Sequence, residues 1–246
     1  MENNIKSIAM ELPVLDGIIE RRILLNYRAK PDVIKALLPS HLEPLIINGY
    51  ASAGICLLRL KKIGIKYSPS FMRIGSENAA HRFLIKFHDG HKEVRGVYIP
   101  RRDTDSMLNV ALAGRIFSWP HYFASFEVQE ANGSYSVKMR SKVESSFLQV
   151  EAHLTDAFPK DSMFESIEHA SGCFKSCRVG VSPSTKPERF KKIELKTKTW
   201  DVKPLDVRCL KSSYFEDQTL FPAGSVQFDN ALLMEGIGHE WLSHSA

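Results

Sequence analysis

The sequence predicts one mainly antiparallel α+β domain in which short helices accompany an extended set of strands. Three observations carry that expectation. Ser76 to Phe87 and Tyr135 to Glu144 alternate in the period of two that places successive side chains on opposite faces of a sheet. Asn48-Gly49, Asp89-Gly90 and Asn132-Gly133 fall between such runs, where two-residue hairpin turns need residues that tolerate positive φ. Helical spacing is confined to short stretches at 29–39, 107–117 and 163–174.

Length and composition narrow the class. A chain of 246 residues with 43% hydrophobic and 25% charged residues can bury a sizeable core. The net charge of +5 is mild, with local density only at Arg21-Arg22, Lys61-Lys62, Arg101-Arg102 and 186–198. No stripe alternates basic and aromatic residues, so no nucleic-acid partner is expected. No run approaches the ~20 apolar residues of a membrane span, and no membrane partner is expected. The start MENNIKSIAMELPVLDG lacks a continuous apolar segment, so the expected location is cytoplasmic, with Cys56, Cys173, Cys177 and Cys209 reduced. His169, Cys173 and Cys177 have helical rather than zinc-site spacing, and the expectation is no metal and no cofactor.

In chain order, residues 1–17 read as an N-terminal arm and 18–246 as a single domain. Ile18 to Tyr27 forms the first strand. Pro31 and Asp32 then open a helix that Pro39 ends, with Val33, Leu37 and Leu38 turned inward. Strands follow around Leu45, at Ala51 to Lys61, Ser76 to Phe87 and Lys92 to Pro100. Met107 to Phe117 reads as a helix with a small-residue face, and Pro120 turns the chain into a strand at Tyr122 to Val128. A meander continues through Tyr135 to Glu144 and Phe147 to Leu154. Asp161 or Ser162 is expected to cap a helix over Met163 to Phe174. Residues 180–192 read as a loop, 191–202 and 204–212 as strands, and the end of the chain from Phe221 as a last strand and a frayed tail containing His239, Trp241 and His244.

The run ALAGRIFSWPHYFAS resembles the acetoacetate decarboxylase motif A-I-A-V-G-R-E-x-S-A-Y-P-K-K-L-A. Gly114, Arg115 and Pro120 match, and the two lysines of the motif fall on His121 and Tyr122. GSENAAHRFLIKF is similar to the family strand that carries an active-site glutamate, which places Glu77 at that position. VYIPRRDTDSMLNVALAGRI sets Asp103, or with a shift Asp105, near a family aspartate. The opening NYRAKPDVIKALLPSHLEPL is similar to the same superfamily and closer to its uncharacterised YqjF-like branch. There a family arginine corresponds to Arg21 or Arg22, and a slip of one residue decides which face it takes. The resemblance implies a β-barrel with short helices packed outside, a homo-oligomer, and a pocket for an oxo- or other organic acid. It also implies that lysine-imine decarboxylation is absent, because neither imidazole nor phenol forms the protonated imine that serves as electron sink.

Two readings of the remaining constellation stand. In one, Glu77 and His121 share proton transfer as catalytic groups while Arg115, Tyr122, Arg82 and Asp103 bind a small acid, Arg115 or Arg82 by a bidentate clamp. In the other, Arg115 is a structural partner of Glu77, His121 a satisfied corner residue and Tyr122 a strand aromatic, in a non-catalytic ligand-binding or structural oligomer. A carboxylate at Glu77, heading a face that continues through Phe83, Ile85 and Phe87, needs either a cationic partner or an opening into a cavity.

Overall fold

A computed structural model describes residues 13–90, 92–112, 120–183 and 191–244. Thirteen strands form one mixed sheet among these residues. They are β1 (Leu15–Ala29), β2 (Glu43–Pro44), β3 (Ile46–Ile47), β4 (Tyr50–Ile65), β5 (Ile74–His88), β6 (Glu93–Thr104), β7 (Tyr122–Ala131), β8 (Ser134–Ser141), β9 (Phe147–Leu154), β10 (Val179–Ser182), β11 (Lys191–Thr197), β12 (Lys203–Ser212) and β13 (Val226–His244). Four short helices accompany them: α1 (Pro31–Leu37), α2 (Met107–Leu112), α3 (Ile167–Ser176) and α4 (Ser213–Glu216). None of the described helices is long and apolar enough to cross a membrane.

The sheet closes on itself twice. Pairing runs from β6 through β7, β8, β9, β12, β13, β1, β4 and β5, and β5 pairs back onto β6. A second circuit leaves β13 through β11 and β10 and returns to β6. The strands β13, β1, β4, β5 and β6 therefore form a wall common to a large and a small ring. Every pairing is antiparallel except β6 with β7 and β6 with β10.

Because side chains alternate along a strand, the common wall feeds two cores. Ile23, Leu25, Ile55, Leu57 and Phe83 point into the large ring, where they meet Val137, Val150 and Leu205. Leu24, Cys56, Ala80 and Leu84 point the other way, toward Ala170 and Phe174 of α3. The face of β1 changes at a bulge: Ile19 and Arg21 lie opposite the consecutive residues Leu60 and Arg59, so Glu20 is the extra residue.

The turn chemistry is as expected. Asn48-Gly49 and Asn132-Gly133 both have positive φ at each residue, the geometry that matches hairpin twist. Pro31 opens α1, whose inward residues are Ile34 and Leu38, with Val33 and Leu37 at the margin.

Three expectations need correction. β1 begins at Leu15, inside the stretch read as an arm. The third helix starts at Ile167, not Met163, and its cap is Ser166, whose hydroxyl accepts from the His169 N–H at 3.2 Å. Met163 and Phe164 are instead drawn into the core, because Asp229 takes the Met163 N–H at 2.9 Å and the Ser162 hydroxyl at 2.6 Å. The C-terminal tail is not frayed: β13 pairs with β1 and β11 as far as His244, and His239 is buried. Of the helix expected at 107–117, α2 covers Met107–Leu112, and 113–119 lie outside the described residues.

Candidate ligand cavity

The small ring encloses a cavity of about 220 Å³ between the common wall, β10, β11 and α3. Its lining is chiefly aliphatic, with Phe174 and Trp241 as aromatic walls. Among its lining residues are Arg22, Arg82 and Arg102, His121, Cys56 and Cys177, with the exposed Arg178 at its edge. Among the described residues no Asp, Glu or Lys lines this cavity.

Two Arg-Arg pairs show how the wall sorts charge, since adjacent strand residues must face opposite ways. Arg21, 2% exposed, enters the large ring and meets Glu77 at 2.5 Å and also Glu130. Arg59 bonds the other oxygen of Glu77 and reaches Glu130 at 3.0 Å, closing a four-membered network of alternating charge. Arg101 likewise turns into the large ring, gripping Asp103 through two hydrogen bonds of 2.8 Å and Glu144 at 2.5 Å. Arg22 and Arg102 project from the other face, into the cavity.

Arg82 is the most enclosed of the cavity cations at 3% exposure. Its position depends on Gly54, which lies opposite it on β4 and leaves room for Nη2 to cross to the Asn26 side-chain oxygen. Asn26 donates to Asn230 at 2.7 Å, and Asn230 donates to Asp229 at 2.6 Å, so the nearest carboxylate in this relay is two amides away. Burial lowers the Arg82 pKa to about 10, and that of Arg102 to about 9. Both stay protonated at neutral pH, so each brings a positive charge to the cavity wall. Arg22 donates to the Cys56 sulfur at 3.3 Å and lies over the Trp200 ring, while its Nη1 is buried without a hydrogen-bond partner among the described residues. Arg102 donates to the Ser182 hydroxyl at 2.6 Å.

Of the six residues singled out from the sequence, the five that are described are divided by the wall. Arg82 and His121 line the cavity. Glu77 does not. It faces the large ring, where Arg21 and Arg59 occupy both its oxygens, so it is not placed to share a proton with His121. Asp103 is fully buried on the same side, its pKa raised by burial against the pull of Arg101. Tyr122 lies beside it, its ring 4.7 Å from the Arg101 guanidinium. Glu77, expected as a catalytic group, and Asp103 and Tyr122, expected as binding residues, thus face the large ring and not this cavity. Arg115 lies outside the described residues. Sequence reasoning missed Arg102, Arg178, Cys56 and Cys177 and left Arg22 undecided. The two Arg-Arg dipeptides were the available signal, because in a strand each such pair must present one cation to either face.

Comparison with known proteins gives the family and the fold. The model of a family of uncharacterised conserved proteins, DUF2071, matches residues 19–225. No curated protein matches the sequence significantly. Among solved structures, acetoacetate decarboxylase from Legionella pneumophila superposes with a TM-score of 0.63 at 12% identity, covering 95% of this chain and 87% of that one. The enduracididine biosynthesis enzyme MppR, in complex with pyruvate, gives 0.63 at 11% identity, covering 98% and 92%. An acetoacetate decarboxylase-like enzyme from Sphingomonas wittichii RW1 gives 0.61 at 11%, covering 96% and 93%.

Proposed function

This chain belongs to the DUF2071 family on the fold of the acetoacetate decarboxylases, and from that premise we propose that it binds a small organic acid in the small-ring cavity. The observation that carries the reading is the charge imbalance. The large-ring arginines Arg21 and Arg101 are each matched by carboxylates, whereas Arg82 donates to the Asn26 amide oxygen and Arg22 to the Cys56 sulfur, in a lining with no acid among the described residues. Holding a buried guanidinium without a counter-charge is costly, and an anionic ligand removes that cost. Arg82, with Arg22 beside it, is the carboxylate site, and the aliphatic lining takes the organic body of the acid. His121 supplies an imidazole to the same lining, able to donate or accept a hydrogen bond. That MppR is solved with pyruvate agrees with an oxo acid as ligand.

The reaction, where one occurs, does not pass through a lysine imine in this reading. No lysine lines the cavity among the described residues, and His121-Tyr122 stand where the related motif has its lysines. The test is thermal denaturation with pyruvate, acetoacetate and longer oxo acids, against ethyl pyruvate and acetone as uncharged controls. An acid at ten times its Kd adds about 1.4 kcal/mol, a rise of roughly 3–5 °C for a chain of this size. Arg82→Gln is expected to abolish the rise. Equal stabilisation by the uncharged compounds, or an undiminished rise in Arg82→Gln, rules the reading out. Borohydride reduction in acetoacetate should leave the mass unchanged, and a trapped adduct would refute the claim that imine chemistry is lost.

A further inference from the structure

Three of the four cysteines gather around Arg82. Cys56 lines the cavity from β4, Cys177 lines it from the C-terminal end of α3, and Cys173 lies one helical turn before Cys177. Phe174, between the last two, carries the Arg82 guanidinium over its ring at 4.8 Å. We propose that Cys177 is a nucleophile of the cavity, placed to add to the electrophilic carbon of an acid whose carboxylate is held by Arg82. For the class of ligand this rests on the reading of the cavity as an anion site.

A thiol becomes a useful nucleophile where donors and positive charge favour the thiolate and acids are absent. Cys177 has those surroundings. The Cys173 and Cys177 thiols are hydrogen-bond partners, and the Ser176 hydroxyl, which donates to the Cys173 carbonyl at 2.7 Å, lies 3.8 Å from the Cys177 sulfur. The sulfur hydrogen bond, with Ser176, Arg82 and Arg95 adding to it, holds the Cys177 thiol below its ordinary value against burial, while Cys173 is pushed up. Cys56 also lines the cavity and its sulfur accepts from Arg22, so it is the second thiol whose alkylation is read.

The chemistry closes without another reactant. With an oxo acid, the Cys177 sulfur forms a bond to the carbonyl carbon, and the carbonyl π pair moves to oxygen, which takes the proton the thiol has given up. The product is a reversible thiohemiketal, the net addition of S–H across C=O. With iodoacetate the sulfur–carbon bond forms as the carbon–iodine bond breaks, and iodide leaves with the electron pair.

Iodoacetate and iodoacetamide separate the possibilities, because they share an electrophile and differ in the carboxylate. Rates are read by peptide mass spectrometry on the full chain, with Cys209, half-buried on β12 and away from the cavity, as internal reference. The ratio of iodoacetate to iodoacetamide rates at Cys177 is expected to exceed that at Cys209 at least tenfold, and pyruvate is expected to protect Cys177 but not Cys209. Arg82→Gln should return the ratio to that of Cys209. The wild-type ratio stands without the variant should the latter fold poorly. A Cys177 no faster than Cys209 with both reagents, in a protein that organic acids still stabilise, overturns the thiol assignment alone. A fast Cys177 without preference between the reagents overturns the anion site on which it rests.

Discussion

Gly54 shows how much of the cavity depends on one absent methyl. The strand needs no left-handed conformation there, so the reason for glycine is space. A Cβ at this position would press into the Leu25 carbonyl oxygen, nearer than real Cβ atoms come to backbone, and would sit 3.3 Å from Arg82 Nη2. Gly54→Ala must therefore part β4 from β1 or displace the guanidinium from Asn26. Strain of this kind in a packed interior costs about 1–3 kcal/mol. We expect a lower urea midpoint together with a diminished thermal response to organic acids. A variant that keeps both would show that Arg82 does not depend on the gap. The same scale explains what the sequence could and could not tell about charge. That Glu77 needed a cation was legible from its place at the head of an apolar face, and Arg21 with Arg59 supplies it. Which of Arg21 and Arg22 it would meet was not, since that depends on the bulge at Glu20, a feature of strand pairing rather than of local composition.

At the scale of elements, alternation and turn residues made most strands readable, and the helices were harder. The sequence offers Asp161 and Ser162 as caps for the third helix, and both have suitable side chains. Asp229, distant in sequence and buried on β13, outcompetes the helix for Ser162 and for the Met163 N–H, and the start moves to Ser166. This matters for function because α3 brings Phe174 and Cys177 to the cavity, and a helix in the expected register would present other residues. Ser166→Ala removes the acceptor for the His169 N–H and is expected to cost about 1 kcal/mol, measured by urea denaturation. Ser162→Ala should leave the helix boundary where it is, since the segment before Ser166 is held by Asp229. Amide exchange that shows α3 fraying from Ile167 in the Ser162 variant, and not in the Ser166 variant, would reverse this assignment.

Across the whole molecule, the two rings each hold one deeply buried histidine, and together they set how the fold responds to acid. His81 points into the large ring, 1% exposed, its imidazole 4.3 Å from the Tyr214 ring, and burial, then the nearby Arg101, lowers its pKa to about 3. His239, 2% exposed, lies against Trp241 at the wall of the small ring, and burial lowers its pKa to about 4. An unfolded imidazole takes up a proton below about pH 6.5, while these two stay neutral in the fold until much lower pH. Between those values the unfolded chain binds more protons, so stability falls as pH falls. From pH 7 to pH 5 each histidine accounts for about 2 kcal/mol of lost stability. Asp103 opposes this trend, because burial raises its carboxyl and favours the fold in acid. Urea midpoints at the two pH values should therefore separate widely in the wild type. They should draw together stepwise in His81→Phe, His239→Phe and the double variant, in which an apolar ring fills each site without a proton to gain. A double variant as acid-sensitive as the wild type would move the response away from these imidazoles and onto the carboxylates of the large-ring networks.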